Sequence, residues 1–542
     1  MPHTAERSAR AARVHRRPGR WTIARALAVA AVAASSACTA PGGPADTTPP
    51  TVVARVPAPG STNVWIGAPI SVTFDEPMRT AGFDPSDARV ETDAGASVAV
   101  AWSWSSDGMV LHGTVVERPA VPATLTLTLG ASLTDAAGNP LEAPEEPHAW
   151  EVPAWQSLGE ELDVDAARHA LDPAVAIGAD GAPVVAWHER APGDGLGSVQ
   201  VRRWDATTGG WTTLARNLAI RPEGDASRTS LVVDGSGRIH VAWTEDDLGL
   251  GLTFVARYEG LGEWQVLDPH PLPGPGAPYP THHMDAALAT GPDGLLVRSL
   301  RWSHVVGPYG RLETWSADDE AWEAYVGTLT GPTGDIVTAV SAPAVDREAR
   351  AVVAIAHAVG SGMPDVWSVA RSVSPTAPAF ALLPDYGGIA GGPWPVRDVV
   401  VAVDGLDRPH AAWRELPSGS GSDWNVRVAR YDDATSSWTP LGGVLDTVAT
   451  NPAGEPSLAI DPLGRPLVAW HENDGGNRDV HVRRWEPSVD DWVALGGVLD
   501  RDPARNAFEP RLALDADGYP VVAWHESVGG VFSVFAARYN GP

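Results

Sequence analysis

The chain has a single cysteine, Cys38, in 542 residues, and no lysine: its 39 basic side chains are all arginine. One thiol excludes an internal disulfide. The absence of lysine is a compositional bias and carries no mechanism. Basic residues are outnumbered by 67 Asp and Glu, for a formal net charge of −28. An acidic excess of this size excludes nucleic acid and anionic membrane surfaces as partners. Long apolar runs are missing as well. The most continuous, Ala26–Ala34, is far shorter than the ~20 helical residues that span a bilayer.

What is present begins with Arg7, Arg10, Arg13, Arg16, Arg17, Arg20 and Arg25 ahead of that apolar run, then small residues ending at Cys38. This is the order of a secretory signal over residues 1–37. Small residues directly before a lone Cys resemble a bacterial lipobox, although Ser35 stands where an aliphatic residue is usual. The resemblance implies cleavage before Cys38, lipidation of its sulfur, and export to the cell surface. Thr39 lacks the acidic residue of inner-membrane retention, which favours the outer membrane. Loss of residues 1–37 removes seven Arg and one acid, taking the charge from −28 to −34. Residues 38–48, rich in small residues, Pro and Gly, read as a tether.

Residues 49–153 read as a small all-β domain. ISVTF (Ile70–Phe74) and TLTLTL (Thr124–Leu129) alternate as half-buried strands do. The phrases DTTPPTVVARVPAPGSTNVWIGAPISVTFDEPM and LTDAAGNPL resemble the bacterial Ig-like domain of S-layer proteins, which implies a β-sandwich used as a spacer or stalk. Asp75, Glu76 and Asp135 are turn and edge residues that double as cation candidates.

Residues 154–542 repeat. Trp155, Trp211, Trp264, Trp322, Phe380, Trp438 and Trp492 recur with a period near 55 residues, as in a propeller. Each unit holds four short strand phrases, exemplified by SLAID, PLVAWHE, VHVRRW and WVALGG. The chain ends after a third-strand phrase, while Trp155–Gly159 is an unattached fourth-strand phrase. A seven-bladed β-propeller closed by its N-terminal strand follows. The G-x-P-h-V-A-W phrase resembles secreted propellers of the sialidase-like and YVTN-like groups, which speaks to architecture more than to activity.

Three residue sets are candidate sites. The pairs His188-Glu189, His471-Glu472 and His525-Glu526 close the second strands, at the expected rim. No H-E-x-x-H spacing accompanies them, and recurrence favours a scaffold role. Asp172, Asp285, Asp398, Glu455 and Glu509 stand before the first strands, where they would crowd the channel mouth as a ligand or cation site. His282, His283 and Asp285 form a weak metal set. No catalytic residue is assigned: an S-x-D-x-G-x-x-W box and a hydrolytic pair of carboxylates are both missing. No cofactor is expected beyond a divalent cation such as calcium. The expectation is a monomeric, lipid-anchored, non-enzymatic recognition module for an extracellular protein or glycan. The alternative is a glycoside hydrolase or lyase working at the channel mouth.

Overall fold

The computed structural model describes residues 46–542, apart from 144–145, 192–195, 221–224, 248–249, 268–281, 304–308, 330–336, 358–365, 375–376, 384–394, 418–422, 449 and 474–475. Cys38 and the signal and tether readings for residues 1–45 lie outside the described residues. No α-helix occurs among the described residues.

The first domain is a sandwich of two four-stranded sheets. One holds Val52–Val56, Ile70–Phe74, Val110–Val115 and Val100–Trp104; the other holds Ser97–Val98, Ala88–Thr92, Ala123–Leu129 and His148–Val152. Alternate residues Ile70, Val72 and Phe74 are buried from one sheet and Leu125 and Leu127 from the other, which is the period-two pattern of facing sheets. Asp135 accepts hydrogen bonds from Gly138 N, Asn139 N and Asn139 Nδ2, and Asp75 accepts from Thr51 N and Oγ1. Both carboxylates thus bind their own turns and edges.

Beyond it the described residues form seven sheets, each built around four strands in sequential antiparallel order. In the last sheet, Val531–Tyr539 pairs with Trp155–Ser157, so the fourth strand comes from the far end of the domain. The first strands of all seven sheets line one cavity, the central channel. Two repeated devices hold the ring. The fourth-strand indoles of Trp155, Trp211, Trp264 and Trp492 donate to Leu495 O, Leu158 O, Leu214 O and Leu441 O of the preceding unit, at 2.7–3.1 Å. The turn after the first strand is closed by an aspartate. Asp461 accepts from Leu463 N, Arg465 N and Arg465 Nε, and Asp234, Asp346 and Asp404 repeat the pattern.

The Ig-like domain is more than a stalk. It and the propeller belong to one compact unit, Pro49–Pro542. Asn540, fully buried, accepts from Ile66 N and donates to Val64 O and Pro153 O. Asn63 brackets Ser157 through its N and O. The Arg538 guanidinium lies 3.9 Å over the Trp65 ring, and that of Arg118 3.4 Å over Tyr519. The two domains meet at the seam where the ring closes.

Blades three and four depart from the VAW phrase by packing. Leu300 and Ile355 take the Trp position and are fully buried. Blade three instead buries an ion pair, Arg298 Nη2–Glu313 Oε2 at 2.6 Å, with Arg298 stacked 4.1 Å over Trp322.

Candidate channel-mouth site

The acids expected ahead of the first strands lie inside them. The strand of blade six begins at Ala453 rather than Ser457, and that of blade seven at Ala507. Alternation is interrupted there by a bulge. The register slips between Leu171 and Ala174, Ser227 and Ser230, Met284 and Ala287, Arg397 and Val400, Gly454 and Ser457, and Phe508 and Arg511. Asp172, Arg228, Asp398, Glu455 and Glu509 occupy the bulge with φ of 49–56°. A left-handed non-glycine residue costs about 1–2 kcal/mol. That cost recurs in five blades, and bulges re-aim side chains at functional rims. All five line the channel cavity of about 600 Å³.

Each acid finds a partner at the end of the second strand. Asp172 Oδ2 lies 3.4 Å from His188 Nδ1, Glu455 Oε2 lies 3.3 Å from His471 Nδ1, Glu509 Oε2 lies 3.8 Å from His525 Nδ1, and Asp398 Oδ2 lies 2.6 Å from Arg414 Nε. The His-Glu pair therefore divides. Its histidine faces the channel acids, on one face of the strand. Its glutamate, two residues from the tryptophan, shares the opposite face. The indoles of Trp187, Trp470 and Trp524 donate to Glu189, Glu472 and Glu526 at 3.0–3.4 Å. The same carboxylates accept the loop amides of Val164, Thr447 and Val448, and Arg501. Glu189, Glu472 and Glu526 are at most 1% exposed, and the three histidines at most 7%. They are buried at the ends of the second strands, and the glutamates' bonding partners are the indole and the inter-blade loop. His481 stacks on Trp470 at 5.4 Å, and His471 meets Phe508 edge-on.

The channel acids are electrically unequal. Burial first, then a hydrogen bond to Asp172 and the charges of Asp172 and Glu455, push the Glu509 carboxyl up to about 9. Burial opposes ionisation of Asp172, but the Glu509 hydrogen bond and the charges of His188, Arg511 and His525 bring it down to about 2. At neutral pH the pair therefore shares one proton. Burial raises Asp398 against the pull of Arg414. For Glu455, burial is outweighed by the His471 hydrogen bond and the charges of His471, Arg511 and Arg414. Burial lowers His188, and lowers His525 to about 4, so both imidazoles are neutral at pH 7.

Arg511 is the residue that sequence reasoning missed. Where its register places it, the other bulged first strands carry Ala174, Ser230, Ala287, Val400 and Ser457. At this register it is the one long cation, and with Arg228 at the bulge it brings a guanidinium into the channel. Aligning the repeats with the bulge in place would have exposed it. Asp285 shares the bulge register in blade three, and His282 and His283 begin the same strand. The side chains of all three lie outside the described residues.

Residues 46–152 match the family model of the bacterial Ig-like domain. A comparison with curated proteins finds no match. Among solved structures, the chain is similar to a Dyadobacter fermentans protein of unknown function (12% identity, TM-score 0.45, 72% of this chain and 100% of that one). It is similar to a polysaccharide lyase described as an ulvan lyase (10%, 0.48, 70% and 96%). A third is an α-L-arabinanase from Penicillium chrysogenum complexed with arabinobiose (10%, 0.38, 68% and 93%). The second and third of these are described as glycan-active enzymes, at identities where activity does not transfer.

Proposed function

We propose that the propeller is a glycan-cleaving enzyme whose chemistry is carried out at the channel mouth. The observation that carries this reading is the Asp172–Glu509 pair, two carboxyl groups whose environments drive them to opposite protonation states. The pair shares one proton to deliver to a leaving oxygen. Neutral His188 and His525 stand beside the pair as proton acceptors. Arg511 supplies the positive charge that stabilises an anionic transition state. Interleaved carboxylates, guanidiniums and imidazoles suit a hydroxyl-rich ligand. Neutral imidazoles beside the acids can take a proton from a substrate carbon, a step that hydrolysis by two carboxylates does not use. Proton abstraction followed by elimination, the lyase chemistry, fits the set better.

A second reading, recognition without turnover, is favoured by one observation: four of the acids are already paired within their own blades. A panel of acidic and neutral polysaccharides, read for new reducing ends and for unsaturated products absorbing in the ultraviolet, separates the two. The enzyme reading expects turnover that Glu509→Gln and Asp172→Asn each lower by about 100-fold or more. Binding to an immobilised glycan with no turnover on any substrate would establish the recognition module instead. Export, lipidation at Cys38 and surface display belong to the same proposal, and metabolic labelling with a fatty acid, lost in Cys38→Ser, tests them.

A further inference from the structure

A second cavity lies between blades one and two, away from the channel. Its volume is about 560 Å³. It shares no lining residue with the channel cavity. Its floor is Gln200. The register sets Gln200 against Trp187, where other blades have Phe254, Arg311, Ser368, Arg427, His481 and Phe535. Gln200 is 2% exposed, and its Nε2 donates to Ser198 Oγ at 2.9 Å. Its Oε1 is buried with no hydrogen-bond partner, and Gln200 is one of the residues that line the groove. A buried amide oxygen left unpaired is costly, and native structures rarely tolerate one without a reason.

Two cations border the same groove. Arg168 spends Nη2 on Glu189 O and Leu196 O, and its Nε is buried without a partner. Arg216 makes no ion pair among the described residues. The acids that share the lining are already engaged: Glu189 by Val164 N and the Trp187 indole, Asp165 by Ala167 N. Leu196 and Ile220 supply an apolar wall.

We propose that this groove is a binding site for a hydroxylated carboxylate, a uronic acid unit in chemical class. A hydroxyl would donate to Gln200 Oε1, the carboxylate would pair with the forked guanidinium of Arg216, and the ring's carbon face would lie against Leu196 and Ile220. The site stands on its own geometry and does not require that the channel turn over substrate.

Calorimetric titration of the whole chain with glucuronate tests it, with glucose as the neutral sugar and acetate as the plain anion. Glucuronate is expected to bind at least about ten-fold more tightly than either control, a difference of about 1.4 kcal/mol. Arg216→Ala, a substitution at a part-exposed position, and Gln200→Leu, which keeps the volume, should each weaken it by about ten-fold or more. Failure of glucuronate to bind, equal binding of glucose or acetate, or full affinity in Arg216→Ala would overturn the inference. Glucuronate binding that Arg216→Ala abolishes, in a chain that cleaves no glycan, would uphold this site while removing the enzyme reading.

Discussion

At the scale of single residues, the same two letters do different work. In His471-Glu472, the histidine belongs to the channel and the glutamate to the scaffold. Removal of Glu472 as Glu472→Ala leaves the Thr447 and Val448 amides and the Trp470 indole unpaired in the interior. A stability loss of about 3 kcal/mol is expected, read by chemical denaturation. His525→Gln, which keeps most of the buried volume, should by contrast alter the pH profile of the channel more than the melting temperature. Arg511→Ala removes a charge that holds Asp172 and Glu455 ionised. The acid limb of an activity–pH profile should then move to higher pH. An unmoved limb would mean that Arg511 merely fills space. Recurrence made the scaffold residues legible in the sequence, because a glutamate always two positions after tryptophan must serve the repeat. Arg511 was not legible, since its meaning depends on the register of five other strands.

At the scale of the element, the four-strand blade was readable from alternating apolar residues and turn chemistry. The bulge was not. A left-handed acid leaves no compositional trace, and it displaced the apparent start of the first strand by four residues in blade six. Propensity would call for glycine at such a φ. Glu455→Gly should therefore relieve strain while emptying the mouth, so stability is expected to hold or rise by about 1 kcal/mol while ligand binding or turnover falls. Equal loss of both would show that the acid is a packing residue. The Asp461 turn carries the opposite signature: all of its bonds are local. Asp461→Ala should cost about 1–2 kcal/mol, within the range of a lost cap or turn, and leave the channel intact.

At the scale of the whole molecule, charge governs the response to pH. Burial raises Asp163 to about 6 and Asp446 to about 7, each with a neighbouring glutamate adding to the shift. Both sit in linkers between blades. In the unfolded chain an aspartate titrates near 3.8. The folded state therefore holds protons that the unfolded state releases. Stability contributed by these groups is complete below about pH 4 and is lost as pH rises to about 7. The aspartates of the turns shift the other way: Asp234 and Asp404 are lowered and lose their contribution as pH falls below the unfolded value. A stability maximum between about pH 4 and 6 follows, and thermal denaturation across pH checks it. Asp446→Asn should flatten the decline toward neutral pH. The domain order and the ring were legible in the sequence at this scale, whereas the meeting of the two domains was not, because Asn63 and Asn540 lie far apart in the chain and carry no shared pattern.

That seam has a consequence in time. The pairing of Tyr539 with Trp155 closes a loop that contains almost the entire propeller. A chain growing from its N-terminus folds its Ig-like domain first. Asn63 of that domain can then hold Ser157 in place while the blades are still being synthesised. The last strand arrives to find its partner already positioned. The domain read from sequence as a spacer thus touches both strands of the closing pair, and a last blade without its N-terminal strand would present an open edge.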